Sequence, residues 1–251
     1  MQRSKRINYK EEFDRKKFCI VRSILGKGKV ELINKKIKEQ LKKQEFVDGN
    51  NPYITNIKRK AYNMYSMLIM EHTLKTDAPK DYIAKKELVL EEVYGEIISK
   101  IEEDLSKIFY LIRINYWRVI GMTYMEIYKD SPEQEVHQDS PEGMNRIFIT
   151  IPLEKTDILM GPTIFYNEEK VGKYRVNQES EGGGKEGNIG YIKEMDKEKR
   201  GDFEKARTQC ELEEGDITIH RDMTYHSGGE NKTSKTRKFL FLVCDYTEKI
   251  D

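Results

Sequence analysis

Cysteine is scarce in this chain: 251 residues contain 3, at positions 19, 210 and 244. Their odd number and wide spacing exclude a secreted disulfide framework, and the lack of a Cys-x-x-Cys pair argues against structural zinc. No stretch approaches the ~20 apolar residues that span a bilayer. The N-terminal MQRSKRINYKEEF lacks the apolar core of a signal peptide. These absences predict a soluble protein of the cytoplasm with no membrane partner, where the sequon Asn231-Lys232-Thr233 is idle. Charge of one sign is missing too. Lys and Arg number 45 against 44 Asp and Glu, so no global field steers the chain toward nucleic acid. Basic runs such as residues 35–43 read as solvated helix faces, and no internal repeat is evident.

What is present bounds the fold. Apolar residues make up 37%, enough for one large core, or for a catalytic core with a helical extension. Residues 31–46 place Ile33, Ile37 and Leu41 on one stripe. Residues 84–110 keep a helical rhythm through Leu88, Leu90, Val93, Ile97, Ile98, Ile101, Leu105 and Ile108. The Met- and Tyr-rich run 62–70 also reads as helix, with its stripe assigned to packing. From residue 112 the texture turns to strands at 114–128, 146–153, 163–166, 216–219 and 238–243. The charged segment 168–208, with Gly182-Gly183-Gly184, is long enough to be a lid or binding loop. The expected class is α+β. A jelly roll (double-stranded β-helix, cupin-like) spans 112–251, and the mainly helical residues 1–111 pack on one outer face.

The chemistry sits in few residues. The chain has 4 histidines, and His137 and Asp139 stand as His-Gln-Asp. Residues two apart on a strand share a side, so both can aim at one metal while Gln138 turns away. His226 follows far downstream, and two imidazoles with one carboxylate are the ligand set of a facial triad, which suits Fe(II) and leaves positions open. Arg237 comes eleven residues after His226, beyond a turn-rich connection, as on a hairpin with a ligand on one arm and an arginine on the other. Its guanidinium can hold a dicarboxylate co-substrate through forked charge-assisted hydrogen bonds. His220 competes with His226, an even step away on what would be one strand face. The spacing to Arg237 and the turn at Gly215-Asp216 favour His226. His72 reads as structural.

These residues resemble the phytanoyl-CoA dioxygenase family of Fe(II)/2-oxoglutarate oxygenases. The resemblance rests on His137-Gln138-Asp139, Glu214-Gly215-Asp216 entering a strand, His226 with the glycines after it, Asn231 and Arg237. Residues 124–129 (YMEIYK) and Gly161-Pro162-Thr163 also match, and the likeness covers roughly residues 112–245. It implies His137, Asp139 and His226 as iron ligands and Arg237 on the distal carboxylate of 2-oxoglutarate. Met125 and Thr150 are implied as lining the co-substrate pocket. Lys129 either supports the site or only caps a strand. Where relatives carry a Pro-Gly-Ser/Thr-His turn near the substrate mouth, this chain reads Phe165-Tyr166-Asn167-Glu168-Glu169.

The expectation is therefore a dioxygenase using Fe(II), 2-oxoglutarate and O2. It would hydroxylate a C–H bond of a small molecule or acyl conjugate and release succinate and carbon dioxide. An intact Asp139 favours hydroxylation, or a hydroxylation-like desaturation, over halogenation, because related halogenases carry a small residue there; the sequence does not choose between the first two. Two other readings stand beside it: a hydroxylase of protein or nucleic-acid side chains, and a non-catalytic jelly-roll binding protein. The sequence is silent on oligomeric state.

Overall fold

Apolar periodicity decides which segments become helix and which become strand. The structure is a computed structural model, and it describes residues 8–43, 59–66, 80–139, 144–174, 190–191 and 196–247. Helix α1 (Tyr9–Lys16) starts at Asn8, whose side chain accepts the Glu11 N–H, and ends at Lys17, where φ is 66°. Helix α2 (Lys27–Lys43) buries Val30, Ile33 and Ile37, and helix α3 (Lys80–Leu111) buries Ile97, Ile98, Ile101, Leu105 and Ile108. The expected stripe positions Leu41, Leu88, Leu90 and Val93 lie outside the described side chains. Helix α3 stops in a Schellman turn. Ile114 N–H donates to Phe109 O at 2.8 Å and Arg113 N–H to Tyr110 O at 3.1 Å, with Arg113 left-handed at φ 60°.

The strands are β1 (Phe18–Val21), β2 (Arg59–Ser66), β3 (Tyr116–Ile127), β4 (His137–Gln138), β5 (Arg146–Pro152) and β6 (Thr163–Tyr166). They continue as β7 (Gly190–Tyr191), β8 (Arg207–Gln209), β9 (Ile217–Arg221), β10 (His226–Gly228) and β11 (Arg237–Thr247). They form two antiparallel sheets, a six-stranded one ordered β1-β9-β5-β11-β3-β2 and a five-stranded one ordered β7-β4-β10-β6-β8.

Alternation gives the larger sheet two different faces. Ile147, Ile149 and Ile151 of β5, Ile217 and Ile219 of β9, and Leu240 and Leu242 of β11 share one core with the buried residues of α2 and α3. The residues between them face the other way. There, Phe18 of β1 stacks on Phe165 of β6 at 4.5 Å, and Phe148 stacks on Phe241 at 5.5 Å. This second, aromatic interior is where the two sheets meet.

Two expectations are corrected. Residues 62–66 are strand, within β2, and pair along β3 from Arg59↔Ile127 to Ser66↔Gly121; residues 67–70 lie outside the described part. A short Met- and Tyr-rich run satisfies either period, and β3 needed a partner for its backbone groups, so pairing decided. The segment 168–208 is also not one open loop. It contains helix α4 (Glu168–Val171), β7, helix α5 (Lys197–Ala206) and β8, while Gly182-Gly183-Gly184 lie outside the described residues.

Cys19, Cys210 and Cys244 are all buried and unbridged. No helix among the described residues is long and apolar enough to cross a membrane.

Leu105 is 1% exposed in the shared core, whereas Leu159 is 59% exposed. Leu105→Ala is predicted to lower unfolding free energy by about 2–5 kcal/mol in urea titration. Leu159→Ala should stay within about 0.5 kcal/mol of the parent. Equal losses at both sites would contradict this assignment of the core.

Candidate metal centre

Two imidazoles reach one point because their strands lie side by side. β10 pairs with β4 in a register that sets His226 directly opposite His137. Asp139 follows on the same side as His137, while Gln138 turns away and donates to the Met223 carbonyl. One ligand atom from each of His137, Asp139 and His226 lies within 4.8 Å of the others. His137 Nε2 is 3.6 Å from Asp139 Oδ1, and His226 Nε2 is 3.3 Å from Oδ2. The three residues expected to converge do so.

Hydrogen bonds on the far side of each ring select the tautomer. His137 Nδ1 lies 2.8 Å from Glu135 O and His226 Nδ1 lies 2.9 Å from Thr224 O. A carbonyl only accepts, so each Nδ1 carries a proton and Nε2 is the nitrogen left to face Asp139; a metal there would take the His137 lone pair directly and the His226 lone pair once its Nε2 proton has left. This backbone support is the usual outer partner of a metal-binding imidazole.

Burial and charge then set the proton affinities. Burial pushes His137 down to about 4, so it is a neutral donor near pH 7. Burial alone would raise Asp139. The neighbouring His226 charge, with hydrogen bonds from His220 and His226, instead holds it well below the usual carboxylate range. His226 responds in the matching direction. Desolvation would lower it, but the Asp139 carboxylate outweighs that and raises it above 6.5.

His220 is the residue that sequence reasoning used only as a rival. It lies on β9, in the other sheet from His226, so the two do not share a strand. Nevertheless its Nε2 is 3.3 Å from Asp139 Oδ2 and its ring centre 4.7 Å from that of His226. Burial pushes it down to about 4. The signal was present as a third histidine near the motif, but a choice between His220 and His226 hid the outcome that both reach the same carboxylate.

The connection to Arg237 also differs from expectation. β10 and β11 are not a hairpin: β10 pairs with β4 and β6, and β11 pairs with β3 and β5. The chain crosses from one sheet to the other, and buried Asn231 holds the crossing. Its Nδ2 donates to Ile127 O at 3.0 Å and Lys235 O at 2.8 Å, and its Oδ1 accepts the Thr233 N–H at 3.1 Å. The crossing runs against Gly161, where φ is 68° and a Cβ would stand 2.4 Å from the Gly229 and Glu230 carbonyl oxygens.

Arg237, 3% exposed, opens β11 opposite Ile127, with its guanidinium carbon 5.2 Å from the Phe239 ring centre. Half-buried Met125 is the register partner of Phe239, and buried Thr150 is that of Phe241. Lys129 is exposed in the turn after β3. In place of the family's Pro-Gly-Ser/Thr-His turn, the Asn167 side chain caps α4 by accepting the Glu169 N–H at 3.1 Å.

The chain matches the phytanoyl-CoA dioxygenase family over residues 13–239. Its fold is similar to that of the epimerase SnoN, solved with Fe3+, alpha ketoglutarate and nogalamycin RO. The TM-score is 0.63 at 14% identity, covering 94% of this chain and 82% of that one. It is also similar to EvdO2 from Micromonospora carbonacea var. aurantiaca, complexed with 2-oxoglutarate: TM-score 0.61, 12% identity, covering 99% of this chain and 94% of that one. HygX from Streptomyces hygroscopicus, with nickel and 2-oxoglutarate bound, gives 0.56 at 11% identity over 94% and 85% of the two chains. At these identities the likeness is one of fold. No curated protein matches the chain. The match over residues 13–239 makes the chain a member of the phytanoyl-CoA dioxygenase family.

A metal at this site competes with the His226 proton. Below the raised His226 pKa the ring is a cation and must lose that proton to ligate; above it no proton is displaced. Anaerobic Co(II) affinity is therefore predicted to fall about tenfold per pH unit on the acid side of that pKa and to level off above it. Visible-absorption titrations from about pH 5.5 to 8.5 check this. An affinity flat across the whole range would contradict it.

Proposed function

We propose that this member of the phytanoyl-CoA dioxygenase family is an Fe(II)- and 2-oxoglutarate-dependent dioxygenase that hydroxylates a C–H bond of a small molecule or acyl conjugate. The observation that carries the reading is the convergence of His137, Asp139 and His226 within 4.8 Å. The donor set fits the metal: two imidazoles anchored through Nδ1 on backbone carbonyls, which reserves Nε2 for a metal, and a carboxylate held in its charged form. The sheets are read as a double-stranded β-helix centred on residues 112–251, to which residues 1–111 add β1 and β2 as strands of the larger sheet and helices α2 and α3 on its outer face, with the 168–208 insertion as a lid and the cytoplasm as the setting. The relatives' bound iron and 2-oxoglutarate support the same cofactors here.

Iron and 2-oxoglutarate, when bound, supply the electrons that reduce dioxygen, with succinate and carbon dioxide as co-products. The protein's residues position and exclude. His137, Asp139 and His226 would hold the ion, and the ion would supply the binding of co-substrate and O2. Arg237, buried at the head of β11, offers two parallel N–H donors to the distal carboxylate of 2-oxoglutarate. Met125 and Thr150 line that space from β3 and β5, and Lys129 stays with the strand end. The rings of Phe148, Phe239 and Phe241 keep the inner face of the larger sheet apolar, which strengthens the arginine–carboxylate pair by excluding water.

Arg237→Ala is predicted to raise the 2-oxoglutarate requirement about 30-fold or more, the cost of truncating a buried charge partner, while leaving Co(II) affinity unchanged. Uncoupled succinate formation in air measures the first and cobalt titration the second. A mutant needing no more 2-oxoglutarate than the parent would remove Arg237 from its role. A protein that forms no succinate in air, and no visible charge-transfer band with Fe(II) and 2-oxoglutarate under argon, would be a non-catalytic binding module.

A further inference from the structure

Three histidine rings surround Asp139, and the metal centre as described uses two of them. His220 differs from the other two in the hydrogen bonding of its far nitrogen. His137 and His226 each anchor Nδ1 on a backbone carbonyl. His220 Nδ1 is buried and has no hydrogen-bond partner, while its Nε2 lies 3.3 Å from Asp139 Oδ2. The two sides of the ring are closed by aromatic neighbours. Phe148 is stacked on it at 5.2 Å and 20°, and Phe165 is tilted against it at 5.0 Å. The side chain is 1% exposed, so it has no solvent contact through which to find another role.

This environment selects one tautomer. With the proton on Nδ1, a buried N–H would lack an acceptor and the bare Nε2 would face a carboxylate oxygen, lone pair against lone pair. With the proton on Nε2, the ring donates to Asp139 and leaves only a bare acceptor buried, which is the cheaper omission. A ring holding its proton on Nε2 cannot give that nitrogen to a metal, so His220 does not add a fourth ligand.

We propose that His220 is the positioning residue of Asp139: its Nε2–H holds Oδ2 and leaves Oδ1, 3.6 Å from His137 Nε2, to the metal. The proposal rests on the reading that His137, Asp139 and His226 bind a divalent ion. It gives the carboxylate the outer support that Glu135 O and Thr224 O give the two imidazoles, so that each side chain of the set is held from behind. The support comes from β9 in the opposite sheet. Asp139 is therefore aimed by the sheet that does not carry it, and its rotation is tied to the spacing between the two sheets.

The test uses the full chain with Co(II) alone under anaerobic conditions, and two variants. His220→Phe keeps an aromatic ring between Phe148 and Phe165 but removes the donor; His220→Gln restores an N–H donor at the same reach. His220→Phe is expected to lose about 10- to 100-fold in Co(II) affinity without a matching fall in melting temperature, and His220→Gln is expected to recover most of that loss. In the metal-free parent, long-range 1H–15N correlation spectra should show His220 protonated on Nε2 and bare on Nδ1, and His137 the reverse. Parent-like affinity in His220→Phe overturns the proposal, as does no recovery in His220→Gln or an Nδ1–H tautomer of His220. Nitrogen hyperfine couplings from three imidazoles on a bound Cu(II) probe would make His220 a ligand instead and equally overturn it. If the parent itself binds no Co(II), the metal reading fails first, and this one falls with it. Should His220→Phe not fold, the tautomer spectrum and His220→Gln still decide.

Discussion

A carboxylate that leaves water must be answered by protons, and the arrangement around Asp139 is organised by that requirement. Three imidazoles meet it within hydrogen-bonding or near-contact distance, two from the smaller sheet and one from the larger. The anion's need for donors and a metal's need for bare nitrogen are opposite demands on the same kind of ring. The backbone resolves them through tautomers. Where a carbonyl holds Nδ1, Nε2 is the nitrogen that can be given to a metal; where nothing holds it, Nε2 keeps the proton and faces the centre as a donor. Secondary structure thus decides proton placement, because Glu135 O and Thr224 O are fixed by the chain leading into β4 and β10.

The same logic reaches outward through the crossing between the sheets. Asn231 saturates its amide on the backbone of β3's end and of the crossing itself. Gly161 and Gly229 let two backbones touch beneath it. The distance from the metal set to Arg237 is therefore a property of packed main chain and does not depend on long side chains. A dicarboxylate held as proposed, between a metal and Arg237, would require that constancy between its two ends.

Much of this was legible from residue order. The stripes of Ile33, Ile37, Ile97, Ile101, Leu105 and Ile108 are buried as periodicity implies, and Thr163–Tyr166 is a strand with the expected bounds. His137, Asp139 and His226 converge as their chemistry suggested. What escaped did so for physical reasons. β4, β7 and β10 are two or three residues long, too short for any alternation to register. β2 hid because Met and Tyr serve either period and the strand is decided by its partner β3. The supposed hairpin failed because turn residues mark a reversal of direction but not which sheet receives the chain. His220 escaped because spacing along the chain cannot show that two sheets face one another.

The three sulfurs carry a consequence for a chain proposed to bind redox-active iron. Cys19 and Cys210 are pushed up to about 12 by burial, and Cys244 higher still. Thiolate is the form that peroxide and alkylating agents attack, and the folded chain offers almost none of it. Oxidation started by iron at the proposed centre would then fall on other side chains near Asp139. Nor does the folded protein call for a thiol reductant during handling, which removes one competing chelator from any experiment with its metal.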